Sequence, residues 1–121
     1  MNIKILEKAL EKSWCKETCY YKMRDKYEGE DLAYGQCAST ALVVQDYFGG
    51  KLKACKFDEE NAPGHVWNEI EGVDVDLTKR QFDKDQKFGV PYYVDRKEFL
   101  DIDKAYRILK EKVEDYLIDN S

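Results

Sequence analysis

The sequence has no long apolar run and carries more acidic than basic residues. It has 121 residues and a formal net charge of −5. Its longest apolar stretch, around residues 40–44, is far too short to span a membrane. Lys and Glu residues interrupt the apolar positions of residues 1–14, so we expect no secretory signal there. We therefore expect a cytoplasmic protein that does not associate with membranes.

Clusters of positive charge are also missing. The basic residues are scattered among acids, as where Lys79 and Arg80 stand near Asp83 and Asp85. Proteins that bind nucleic acid independently of sequence need clustered Lys and Arg facing the phosphates. We therefore expect no nucleic-acid partner, and a small molecule or peptide is the expected ligand class.

The four cysteines do not form a recognisable framework of disulfides or of metal ligands. They are Cys15, Cys19, Cys37 and Cys55. Disulfides are rare in cytosolic proteins, and this spacing matches no common structural zinc pattern. The sequence therefore predicts neither a metal nor a cofactor.

The order of hydrophobic patterns predicts a single α+β domain over residues 1–121. Ile3, Leu6, Leu10 and Trp14 repeat with helical spacing, whereas residues 65–70 and 73–77 alternate like strands. The expected elements are N-terminal helices over the first dozen residues and possibly 13–27, a buried cysteine-bearing helix over 38–48, strands at 51–57, 65–70, 73–77 and 91–94, and a C-terminal amphipathic helix over 102–116. The sheet should be small and mainly antiparallel.

Cys37 is the first candidate for a reactive group, because it precedes the most apolar predicted helix. The thiolate is the nucleophilic form of cysteine, and a helix N-terminus favours an anion. The N–H groups there could also bind the oxyanion of a tetrahedral intermediate. Gln36 is a second candidate oxyanion donor; its alternative role is a hydrogen bond to the local backbone at the helix start.

His65 is the only histidine, so any general base of this kind falls on that residue. A two-residue turn at Glu71-Gly72 would place Trp67 opposite Asp76 and make Asp76 a diagonal neighbour of His65. Asp76 could then orient the imidazole. A three-residue loop would reverse the parity and remove this contact. Asn68 is the alternative orienting group.

Two tryptophans and one amide are candidates for the substrate-binding wall. They are Trp14, Trp67 and Asn68. Aromatic residues more often belong to the core, and this is the alternative for Trp14.

Several short motifs resemble the YunG-like family of small, mostly uncharacterised bacterial proteins. They are Gly35-Gln36-Cys37-Ala38-Ser39-Thr40, Phe48-Gly49-Gly50, Gly64-His65-Val66-Trp67-Asn68 and Val75-Asp76-Leu77-Thr78 with Gln81-Phe82. More distantly, the histidine and aspartate motifs are similar to the transglutaminase-like core. The resemblance implies a papain-like or transglutaminase-like fold with Cys37, His65 and Asp76 as its triad. It supplies no substrate.

Two functions from different classes remain open at this point. The first is a cysteine-dependent hydrolase or acyl transferase acting on an amide, ester or thioester. The second is a non-catalytic binding or interaction domain that keeps the same fold.

Overall fold

A computed structural model describes residues 1–27, 32, 33, 35–57, 64–79 and 88–121. These residues form three α-helices, α1 (Ile3–Ser13), α2 (Cys37–Phe48) and α3 (Asp103–Asp119), and four strands, β1 (Lys51–Cys55), β2 (His65–Ile70), β3 (Val73–Val75) and β4 (Tyr92–Val94). Three 3₁₀ helices lie at Lys16–Thr18, Tyr21–Lys26 and Arg96–Ile102. The α+β class and the expected order of helices and strands are confirmed.

Helix α2 lies between the sheet and the other two helices. On one side, its Val43 and Val44 pack into a buried cluster with side chains of α1 and α3, including Leu10 and Leu109. On the other side, its Ala41 and Leu42 pack against β1 and β2. Apolar residues on most faces are typical of a helix buried on both sides. The sequence predicted α2 to be the most buried helix from this pattern. Gly49, with φ +71°, ends it.

The sheet has the strand order β3-β2-β1-β4, and all three pairings are antiparallel. In the β1–β2 pair, Cys55 lies opposite His65. In the β2–β3 hairpin, Ile70 lies opposite Val73 and Asn68 opposite Val75, so the predicted two-residue turn and its register are confirmed.

The turn at Glu71-Gly72 carries strain at its first residue. Glu71 has φ +52° and Gly72 has φ +80°, and two positive φ angles match a type I′ turn. Glutamate has a Cβ atom that disfavours this region, whereas asparagine and glycine adopt it readily.

Replacing Glu71 with asparagine should therefore raise the free energy of unfolding by about 1 kcal/mol. Urea unfolding monitored by circular dichroism would measure the shift in midpoint. Glu71→Ala is the matched control, because it removes the same charge but lacks the short polar side chain that lets asparagine adopt positive φ. Equal midpoints for the two variants would contradict the type I′ assignment.

Two elements differ from the sequence-based expectation. The segment after α1 forms the short 3₁₀ helices Lys16–Thr18 and Tyr21–Lys26 rather than one longer helical piece. Strand β3 ends at Val75, two residues earlier than predicted, because the Asp76 carboxylate accepts hydrogen bonds from Thr78 and a local turn replaces the ladder.

The loop predicted at 28–31, residues 58–63 of the loop predicted at 58–64, and most of the irregular stretch 79–89, with Gln81 and Phe82, lie outside the described residues. Among the residues described, no helix is both long enough and apolar enough to cross a bilayer.

Candidate functional site

Cys37, His65 and Asp76 lie together at the start of α2 and of β2. Cys37 is the first residue of α2 and is half-buried, and His65 is the first residue of β2 and is 1% exposed. Both side chains line one cavity of about 380 Å³, and Cys37 is close enough to His65 to act on the pKa of its imidazole. The structure thus brings the predicted cysteine, histidine and aspartate together.

Asp76 fixes the orientation of the imidazole. Its Oδ2 lies 2.5 Å from Nε2 of His65, and its Oδ1 accepts hydrogen bonds from the backbone N–H and the hydroxyl of Thr78, at 3.2 and 3.4 Å. With Nε2 engaged by Asp76, proton exchange with Cys37 falls to Nδ1. Thr78 is 1% exposed, and its two hydrogen bonds hold the Asp76 carboxylate in position.

The protonated form of His65 is favoured at this position. Burial is the largest single influence and lowers the pKa of His65, but hydrogen bonds to Asp76 and Cys37 and the negative charges of both outweigh it and raise the pKa to about 9. An imidazolium beside a sulfur at a helix N-terminus stabilises the thiolate, since both the positive charge and the helix dipole favour an anion there.

Two aromatic rings lie against the imidazole of His65. Trp67 stacks on His65 with ring centroids 5.4 Å apart and an interplanar angle of 24°, and Phe88 lies 5.9 Å from it at 45°. Phe88 also forms a bridge with Phe57. These contacts restrict rotation of the ring and keep water away from the His65–Asp76 pair.

The Gln36 side chain forms hydrogen bonds with the segment that follows α1. Its Oε1 accepts a hydrogen bond from the Thr18 hydroxyl at 2.6 Å, and its Nε2 donates to the Cys15 carbonyl at 2.9 Å. The hydroxyl of Ser39 donates to the Thr18 carbonyl in the same region. These bonds anchor the start of α2 and favour the structural alternative for Gln36, which is fully buried and is not among the cavity-lining residues.

The three residues predicted to bind substrate do not line the cavity. Trp14 is buried in the core, where its indole N–H donates to the Thr40 hydroxyl at 2.9 Å. Asn68 donates to the Ala41 carbonyl of α2 at 2.9 Å and so joins β2 to the helix. Trp67 reaches the site only through its stacking on His65.

The remaining cysteines differ from Cys37 in their surroundings. Burial raises the pKa of Cys19 to about 11 and also raises the pKa of Cys55. Both therefore stay thiols at neutral pH. No cysteine forms a disulfide, and the described residues contain no group of three or more His, Cys, Asp or Glu side chains that could hold a metal ion.

Sequence reasoning missed Thr78 as a support and Phe88 as a ring contact. The spacing Asp76-x-Thr78 is a signal for the former, since an aspartate often accepts hydrogen bonds from the residue two positions later. Phe88 carried no comparable signal, because it reaches His65 from a separate part of the chain.

Comparison with known proteins gives one family and one relative. A family model described as YunG protein matches residues 2–118. The chain is 38% identical over 73 residues to a protein of Bacillus subtilis (strain 168) named Uncharacterized protein YunG. That match covers 60% of this chain and 56% of the relative, so it spans little more than half of the relative's length. No solved structure gives a significant match.

Proposed function

Since this chain belongs to the YunG family and combines a cysteine, a histidine and an aspartate in one site, we propose that it is a cysteine-dependent hydrolase or acyl transferase acting on an amide, ester or thioester. The observation that carries the proposal is the placement of three residues in one site: Asp76 Oδ2 lies 2.5 Å from Nε2 of His65, and Cys37 lines the same cavity as His65. A buried histidine with a purely structural role would need no cysteine thiol in the same cavity.

The order of these residues supports a papain-like or transglutaminase-like arrangement. A cysteine at the start of a buried helix is followed by a strand that carries the histidine and then by the aspartate, as in the superfamily that the sequence resembles. In this arrangement the acid engages Nε2 and leaves Nδ1 for the cysteine.

In the proposed reaction, the Cys37 thiolate attacks the carbonyl carbon and forms a C–S bond. The resulting oxyanion collapses, the bond to the leaving group breaks, and the leaving group takes the proton from Nδ1 of His65. Water or another acceptor then gives its proton to His65 and attacks the thioester, and the thiolate departs. Asp76, through its contact with Nε2, orients the ring and stabilises the imidazolium.

The backbone N–H groups in the first turn of α2 are the main candidates for holding the oxyanion. No side chain caps the N-terminus of this helix, and free N–H groups at such a position can stabilise developing negative charge. Gln36 contributes mainly by fixing the helix start through Thr18 and Cys15.

Mixing the protein with p-nitrophenyl acetate should give a burst of p-nitrophenolate followed by steady turnover. Acid quenching and peptide mass spectrometry should locate one acetyl group on Cys37, because the thioester intermediate accumulates when the leaving group departs easily. Cys37→Ala should abolish both the burst and the label. Cys55→Ala is the matched control, since Cys55 lines the same cavity but remains a thiol.

The alternative, a non-catalytic binding domain with the same fold, gives a different result. Cys37 would then acetylate no faster than the side chain of free cysteine, and no steady turnover would follow the first equivalent. That outcome would overturn the catalytic proposal.

A further inference from the structure

The cavity beside Cys37 has a mostly apolar wall built from separate parts of the chain. Its volume of about 380 Å³ falls in the range of small-molecule sites. The bulky apolar or aromatic residues that line it include Tyr20, Met23, Phe57, Val94, Phe99 and Ile102. Because the thiol opens into this space, a group attached to the attacked carbonyl would be placed among these side chains.

Apart from His65, the charged residues described on the cavity lining are acidic. Two exposed carboxylates, Glu98 and Asp101, line the cavity on the segment Arg96–Ile102. The lining residues that the structure describes include no lysine and no arginine. The only cation on the lining is the imidazolium of His65, whose charge is balanced by its own partners.

The same segment has two basic residues: Arg96 is turned toward α2, and Lys97 is exposed and is not among the lining residues. The Arg96 guanidinium lies 3.0 Å from Asp46 Oδ1 and donates to the Gln45 side chain at 2.9 Å and to the Leu42 carbonyl at 3.3 Å. This arrangement fixes the segment against the helix. Arg96 therefore does not pair with Glu98 or Asp101; one oxygen of Glu98, Oε2, accepts a hydrogen bond from the Asp95 backbone N–H at 3.0 Å.

Asp101 acts electrostatically on the wall of the cavity. Burial, the neighbouring Tyr21 and the charge of Asp101 together raise the pKa of Tyr20. Tyr20 and Asp101 both line the cavity, so the two side chains face the same space.

From this lining we infer that the site takes a substrate with a bulky apolar group beside the scissile carbonyl and a cationic group, such as an ammonium, toward Glu98 and Asp101. This inference rests on the proposed function, because it assumes that the carbonyl is delivered to Cys37. Substrates with a carboxylate or phosphate near the same position are disfavoured, since the lining residues described here offer them only negative charge.

Two charged thiol reagents of matched size test the cationic preference. The thiolate attacks the sulfenyl sulfur of a methanethiosulfonate, forms a mixed disulfide and releases methanesulfinate, so no further oxidant is needed. The measured quantity is the rate with the cationic ethyltrimethylammonium reagent divided by the rate with the anionic ethylsulfonate reagent. The ratio at Cys37 is normalised to that of N-acetylcysteine amide. We expect a normalised ratio well above one at low ionic strength.

The double variant Glu98→Gln, Asp101→Asn should lower this ratio on the order of tenfold. A carboxylate about 8 Å from a probe charge changes each rate about twofold in water, and the two probes respond in opposite directions. Glu111→Gln, Asp115→Asn is the matched control, because it removes the same charge from exposed positions of α3 outside the lining. Its ratio should stay within about twofold of the parent protein.

Neutral reagents separate the two levels of the proposal. Benzyl methanethiosulfonate should react faster at Cys37 than the methyl reagent, relative to N-acetylcysteine amide, because the benzyl group fits the apolar wall. If the charge ratio does not respond to the Glu98 and Asp101 substitutions while iodoacetamide still reacts rapidly, the substrate class is wrong and the proposed function stands. If iodoacetamide reacts no faster than with free cysteine, the proposed function itself fails.

Discussion

Replacing His65 with alanine should slow alkylation of Cys37 by iodoacetamide at pH 7 roughly thirtyfold. Without a neighbouring imidazolium, a cysteine side chain holds only about 3% thiolate at this pH. The contact between Cys37 and His65 provides that imidazolium in the parent protein. The rate would be measured by quenching at intervals and quantifying the alkylated peptide.

The other cysteines serve as internal references in this experiment. Trypsin places each of the four cysteines on a different peptide, because a lysine lies between every neighbouring pair. Cys19 and Cys55 should remain slow in both proteins, since burial raises the pKa of each. A parent protein in which Cys37 reacts no faster than N-acetylcysteine amide would remove the basis for a nucleophile.

His65 should titrate with a midpoint near pH 9. The chain has a single histidine, so one imidazole signal appears in a carbon-13 NMR spectrum of the side chains and needs no assignment. Asp76→Asn should move the midpoint to lower pH, because it removes a charged partner of the imidazolium. Folding should survive this substitution, since the asparagine fills the same space.

The same raised pKa predicts how stability depends on pH. The folded protein binds the His65 proton more tightly than the unfolded chain does, so the associated stability is fully present below about pH 6.5 and is lost as the pH rises through about 9. The loss should be on the order of 3 kcal/mol. Chemical unfolding across this range would measure it, with Cys37→Ala as a variant in which the loss should be smaller. A histidine midpoint near 6.5 would contradict the coupled pair.

The hairpin explains why much of the site could be predicted from the sequence. Strand parity is fixed once the turn length is known, so the positions of His65 and Asp76 followed from two residues, Glu71 and Gly72. The position of Cys37 followed from the apolar composition of α2, which predicted both its burial and its start. Both inferences use residues that are close together in the sequence, so they do not require the tertiary structure.

The parts that escaped prediction depend on contacts between distant segments. Asn68 looked misplaced on the apolar face of β2, yet that face carries α2 and supplies the Ala41 carbonyl as its partner. Trp14 and Trp67 were both candidates for the substrate-binding wall but differ in position, one in the core and one stacked on the imidazole. Such pairings arise only when the layers are assembled.

The cavity wall escaped prediction for the same reason. Tyr20 lies just before the 3₁₀ helix Tyr21–Lys26, and Phe99 lies in the 3₁₀ helix just before α3. Neither segment has the regular periodicity that marks a helix or strand face. The cavity wall depends on how distant segments pack together. The positions of Cys37, His65 and Asp76 depend mostly on one helix start and one hairpin.

The tight Glu71-Gly72 turn also limits how this family can vary in evolution. An insertion of one residue there would be harmless on an ordinary exposed hairpin, yet here it would carry the Asp76 carboxylate to the opposite side of the sheet from the imidazole. Lineages that keep the activity should therefore conserve the length of this turn while its side chains drift, and a descendant with a longer turn would be expected to have lost selection on the aspartate as well.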